Sequence, residues 1–159
     1  MRTWILLSLA PLALAGCKLQ HGEAAQPLST AEATRIAEAA EATFTTGDAK
    51  AIMRQYAEGA VMFDAAQPAF ATDRKVQTGW AQAFVSMKPA DYHVPDRQVQ
   101  ILGPDVFVSS GTEMYTIASG SARPTISLRF TDVFQRQRDG SWKIVHEHLS
   151  MPPAPATQK

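Results

Sequence analysis

Two histidines flank a glutamate near the end of this chain: His146, Glu147 and His148 lie within DGSWKIVHEHLSMP, Asp139 to Pro152. Imidazoles and carboxylates are the groups of proton transfer and of metal ligation. What these three can do depends on the element that carries them. Trp142 to Ser150 reads as a strand, along which successive side chains point to opposite faces. His146 and His148 then share a face with Trp142, Ile144 and Ser150, and Glu147 shares the other with Val145 and Leu149. A compact His–Glu–His cluster would need a bulge. A two-histidine metal site fits the spacing but needs a third ligand. His93, Asp96 and His21 are the remaining candidates, no spacing favours one of them, and no metal or other cofactor is expected. The plainer readings are hydrogen bonds within the sheet or at a contact between two copies, or one histidine facing a cavity. The sequence has no Gly-X-Ser-X-Gly nucleophile motif and no phosphate-binding glycine loop.

The elements that position these residues belong to a chain of 159 residues with 45% hydrophobic and 19% charged residues and a formal net charge of zero. That length suits one domain with extensions and supports a core without staples. The charge balance implies no basic face, so nucleic acid is not an expected partner. The start reads as an export signal: Arg2, then an apolar run from Ile5 to Ala15 interrupted by Pro11 and too short to span a membrane stably. It ends in Leu14-Ala15-Gly16-Cys17, which looks like a bacterial lipobox. That resemblance implies cleavage after residue 16 and a lipid on Cys17, and Cys17 is the only cysteine. Lys18 in place of an aspartate implies, in a Gram-negative host, the outer membrane facing the periplasm. The expected division is 1–16 signal peptide, 17–28 lipidated cysteine and tether, 29–150 folded domain and 151–159 Pro-rich tail.

Ser29-Thr30-Ala31-Glu32 is a capping-box pattern opening a helix with Ile36, Ala37, Ala40 and Phe44 at helical spacing, which Gly47 ends. Asp48 can cap a short second helix, and Asp73 a third with Val76, Trp80 and Phe84 on one face; Trp80 and Phe84 read as helix core. Between them Ala60 to Phe63 reads as a strand ended by Asp64, and Phe70 as a lid or, preferably, as packing on the sheet edge. Strands are then expected over 92–102, 106–117, 125–136 and 142–150, the last two joined by the Asp139-Gly140 turn. Helices followed by an antiparallel run of strands make an α+β chain, with a bent sheet wrapped on the N-terminal helices and a cavity between.

Several stretches carry a resemblance when taken in order: Gly47-Asp48, Tyr56 to Asp64 (YAEGAVMFD), Thr131-Asp132-Val133-Phe134 and Asp139 to His146 (DGSWKIVH). Together they resemble the nuclear transport factor 2-like superfamily, the cone-shaped fold shared with ketosteroid isomerase and SnoaL-like proteins, over about Ser29 to Ser150. The ending WKIVHEHLS is also similar to the association domain of calcium/calmodulin-dependent kinases. The resemblance implies a cystatin-like α+β barrel, a homodimer formed through the sheet and an apolar pocket in the cone, but not one chemistry.

In ketosteroid isomerase one Asp is the proton-shuttling base, while a Tyr and a protonated Asp stabilise the oxyanion. By motif the base position falls on Asp64 and the protonated acid on Asp132. The tyrosine would fall near Ala40, where none stands, leaving Tyr56 or Tyr115 as replacements. The plain alternatives are that Asp64 turns the chain and Asp132 hydrogen-bonds across the sheet. By alternation Asp132 shares a face with Phe130 and Phe134, and Glu113 with Phe107 and Tyr115. Ligand contacts are therefore expected from Tyr56, Phe63, Trp80, Glu113 and Tyr115, and from Phe130, Phe134, His146 and His148. Positions similar to carboxylate-binding arginines of the kinase domain fall on Glu113, Asp132 and Leu149, which implies a neutral or cationic ligand. Three functions stay open: a lipid-anchored binding domain for a small, mostly apolar molecule; a proton-transferring isomerase, cyclase or lyase; and a non-catalytic envelope assembly module.

Overall fold

The structure is a computed structural model that describes residues 27–153. The expected signal peptide, Cys17, most of the tether, His21 and the end of the tail lie outside the described residues. Helix α1 covers Thr30–Glu41, and Ser29 Oγ accepts from the Glu32 N–H at 3.2 Å. It stops short of Gly47 because the threonine-rich turn that follows prefers local bonds: the hydroxyls of Thr43 and Thr46 donate to the carbonyls of Ala40 and Thr43, each at 2.7 Å. Helix α2 is Ala49–Met53, capped by Asp48. Strand β1 is Tyr56–Phe63, longer at its start than expected. Gly59 at φ +72° lets the strand kink, so Tyr56 can pair before the kink and Val61 to Phe63 after it. Helix α3 is Arg74–Ser86, and the Asp73 carboxylate accepts from the N–H groups of Lys75 and Val76.

The strand expected over 92–102 is two strands, β2 at Ala90–His93 and β3 at Gln98–Gly103. Pro95 has no N–H to continue the ladder, and Asp96 leaves the strand to accept from the Thr112 N–H and hydroxyl. That segment crosses the next strand at Gly111, where an added Cβ would stand 3.1 Å from Asp96 Oδ1 and 3.2 Å from Val94 Cγ1. The rest are β4, Val106–Thr116, β5, Thr125–Arg136, and β6, Trp142–Ser150. The six-stranded sheet runs β1-β6-β5-β4-β2, with β3 also pairing along β4. The pairs from β2 to β6 are antiparallel, as expected, and β1, which precedes that run, joins the sheet parallel to β6.

The helices pack on the inner face of this curved sheet. Ala33, Ala37, Ile52 and Ala81 meet Phe107, Phe134 and Ile144, all essentially buried. Just before β3, Arg97 ties α1 to the sheet: its guanidinium bonds both oxygens of Glu41 and reaches Ser109 Oγ on β4 at 2.8 Å. In β6 the register against β5 shifts between Ile144 and His146, leaving Val145 as an extra residue. This bulge overturns the simple alternation drawn from the sequence. Trp142 and Ile144 pack inward before it, Glu147 and Leu149 are buried after it, and His146 and His148 turn to the other face.

Candidate functional site

Between α3, the start of the sheet and the strands β4 to β6 lies a cavity of about 340 Å³, within the range of small-molecule sites. Its walls are largely apolar, with a cluster of aromatic rings on one side. Phe84 of α3, Phe44 after α1, Tyr92 of β2 and Tyr115 of β4 form a closed circuit of ring contacts, with centroids 5.3 to 6.1 Å apart. Trp80 stacks on Phe84 at 5.8 Å. Helical spacing puts Trp80 and Phe84 on one face of α3, and strand alternation brings Glu113 and Tyr115 to the same side of β4. Leu128 and Leu149 floor the cavity, and the partly exposed Met87 and Met151 stand at its rim.

Three carboxyl groups face this apolar space: Asp64, Glu113 and Glu147. Asp64 sits where the chain leaves β1. Its Oδ1 accepts from the Ala66 N–H at 2.8 Å and its Oδ2 from the Trp80 indole N–H at 2.7 Å. The residue both turns the chain and presents a fixed carboxylate at the cavity wall. Glu113 accepts from the Tyr92 hydroxyl at 2.7 Å. Burial pushes its carboxyl up to about 7, with Glu41 and Asp64 adding to the rise and the Tyr92 bond opposing it. Glu147 accepts from the Tyr56 hydroxyl at 2.5 Å through Oε2, while its buried Oε1 has no hydrogen-bond partner among the described residues. Burial pushes this carboxyl up to about 8, against the Tyr56 bond and with help from Glu113 and Asp64.

Asp132 stands directly opposite Glu147 in the β5–β6 register, on the inner side of the sheet and 6% exposed. It lies behind the cavity wall rather than on it, with Oδ1 unpartnered. Burial, then repulsion from Glu147, raises its carboxyl well above the usual range. Tyr56, Tyr92 and Tyr115 are all pushed up, chiefly by burial, and stay neutral donors. At neutral pH the site therefore offers phenol donors, a mostly protonated Glu147 and a Glu113 close to the middle of its titration, with Asp64 in the same wall.

Of the residues singled out in the sequence, Asp64, Trp80, Glu113 and Tyr115 come together around the cavity. Tyr56 supports it through Glu147. Phe130 and Phe134 do not line it: both are buried core, Phe134 stacked on Phe107 at 4.7 Å. Phe63, His146 and His148 are on the opposite side of the sheet, the Phe63 ring 5.8 Å from His146 and 5.5 Å from His148, so they are not cavity contacts. Phe70 packs its exposed ring on Phe63 at this edge and is no lid. Among the described residues no group of three His, Cys, Asp or Glu side chains could hold a metal ion.

Glu147 was missed as a site residue. The signal was its parity with Leu149, a position the resemblance had already put inside the cone. Phe44 and Tyr92 were also missed: Phe44 read as part of the first helix's apolar face, whereas α1 ends at Glu41, and Tyr92 faces inward only once the strand breaks at Pro95.

A family model described as SnoaL-like domain matches residues 33–154. Among solved structures, a candidate calcium/calmodulin-dependent protein kinase II association domain from Xanthomonas campestris is 23% identical, with TM-score 0.72, covering 79% of this chain and 90% of that one. A candidate ketosteroid isomerase from Shewanella frigidimarina is 17% identical, TM-score 0.61, covering 73% of this chain and 92% of that one. A candidate dehydratase of the nuclear transport factor 2-like family from Streptomyces avermitilis is 17% identical, TM-score 0.63, covering 77% and 95%. At these identities the likeness is one of fold. No curated protein matches the sequence.

Proposed function

This chain belongs to the SnoaL-like domain family, and on that premise we propose that it binds a small, mostly apolar molecule in the cavity between α3 and the sheet. The observation that carries this reading is the cavity itself: about 340 Å³ of aromatic and aliphatic wall reached past Met87 and Met151. Protein interiors are close-packed and keep few voids larger than a water molecule, so a space of this size stands out. The same void weighs against an assembly module with a filled cone. Native and denaturing mass spectra of protein lacking residues 1–19 test the reading. A small molecule carried by the native form and lost on denaturation is the expected result. A native species with no adduct, and no uptake of apolar compounds added in excess, would reject it.

A second reading, proton transfer on a carbon acid, draws on one specific observation. Asp64 presents a carboxylate held on both oxygens, and Glu147 presents a mostly protonated carboxyl across the same cavity. In this reading Asp64 is the base. Glu147, with Tyr56 behind it, takes the oxyanion-donor role that the resemblance had assigned to Asp132. Asp64→Asn should then lower turnover of an enolisable ketone about a hundredfold or more while the protein stays folded; unchanged turnover would remove the idea.

We also propose that the domain is lipid-anchored through Cys17 at the cell envelope and acts as a homodimer. The lipobox-like Leu14-Ala15-Gly16-Cys17 and the family resemblance support these two points respectively.

A further inference from the structure

The cavity has a marked chemical bias. Among the described residues lining it none is Lys, Arg or His, whereas three are acids and five are aromatic. We propose that it is a site for an organic cation: an apolar amine or ammonium group that sits among the rings of Phe44, Trp80, Phe84, Tyr92 and Tyr115 and against the carboxyls of Asp64, Glu113 and Glu147. This rests on the cavity-binding reading above and adds the charge of the ligand.

The aromatic circuit turns ring faces and edges on one enclosed space, and a ring face attracts a cation. Glu147 supplies an independent pointer. It is 2% exposed, it borders the cavity, and its Oε1 has no hydrogen-bond partner among the described residues. Buried polar atoms are rarely left so, and a ligand N–H donor would satisfy this one. Among the described residues lining the cavity there is no cation to do it. The groups facing Glu147 are Tyr56 on β1, Asp64 after it, Glu113 on β4 and Asp132 on β5, all acids or phenols. Those facing Glu113 are Tyr92 on β2, Tyr115 beside it, Asp64, and Glu41 at the end of α1. The nearby guanidinium, Arg97, is held by Glu41 and Ser109. An anionic ligand would find no positive charge among the described lining residues. A neutral ligand would leave the acids protonated, whereas a cation favours their ionised form and displaces protons to solvent. Affinity for a cation should therefore rise with pH through the range in which Glu113 and Glu147 ionise, about 7 and about 8.

The test is calorimetric titration of the full-length chain with three matched probes: 4-phenylbutylamine, 4-phenylbutanol and 4-phenylbutyrate. The amine stays charged below about pH 9, as an alkylammonium does. The amine is expected to bind about tenfold or more tighter than the alcohol at about pH 8.5, to weaken about tenfold or more by about pH 6, and to release protons measurable as a buffer-dependent heat. The carboxylate is expected not to bind. Glu147→Gln, which keeps an acceptor for Tyr56, should weaken the amine and not the alcohol; Glu113→Gln is a second, independent variant with the same expectation. If alcohol and amine bind alike with no pH dependence, the cation inference falls and cavity binding stands. If the carboxylate binds best, the cation inference falls as well. If none of the three binds, both fall.

Discussion

At the scale of residues, the unusual feature is acid buried among acid. Asp132 and Glu147 oppose each other on neighbouring strands, each with one oxygen unpartnered, and Glu113 adds its charge to both. Desolvation and mutual repulsion favour the protonated forms. In the folded protein Glu113 and Glu147 titrate at about 7 and about 8, against 4.5 for an ordinary glutamate. The native state thus holds protons that the unfolded chain gives up. Their contribution is fully present below the ordinary value and is lost as pH rises through the folded ones. Stability should fall from about pH 5 to about pH 8, by up to roughly 1.4 kcal/mol per pH unit for each group, and then level off. Urea midpoints across this range measure it. Glu147→Gln should flatten the fall, because the amide has no proton to lose. A midpoint that stays constant or rises, or a variant with the wild-type slope, would contradict this account.

At the scale of elements, the site is held by a few connections between helix and sheet. The Arg97–Glu41 pair, with side chains 12% and 10% exposed, joins the end of α1 to β4 through Ser109. Arg97→Ala would leave the Glu41 carboxyl buried without its partner and should destabilise the protein by about 3–5 kcal/mol in urea unfolding. A loss under about 1 kcal/mol, typical of an exposed pair, would show that the connection does not hold α1. The helix starts were legible because each is a local event: Ser29, Asp48 and Asp73 all cap as their positions imply. The bounds of β5 and β6 were legible from periodicity and the Asp139-Gly140 turn. The bulge at Val145 was not. It is a mismatch of register between two strands and leaves no mark in the residues of one of them.

At the scale of the whole molecule, the order of motifs carried the fold, and the family model and solved structures agree on a curved sheet with N-terminal helices. The anchor is a separate matter. Cys17→Ser should move the protein from the membrane to the soluble fraction and abolish labelling with a fatty-acid analogue, since a lipid chain contributes about 0.8 kcal/mol per buried CH₂ group. Unchanged fractionation would end the lipobox reading.

Sequence alone settled which family fold this chain adopts, because capping residues, turn residues and hydrophobic periods act locally and in order. It also pointed to Asp64, Glu113 and Tyr115, whose positions follow from a strand end and from unbroken alternation. Tertiary structure alone decided which side of β6 faces the cavity. One extra residue at Val145 turns His146 and His148 outward to Phe63 and leaves Glu147 inside with Tyr56 and Asp132. The face of a strand beyond a bulge depends on its pairing with its neighbours, and that pairing exists only in the assembled sheet.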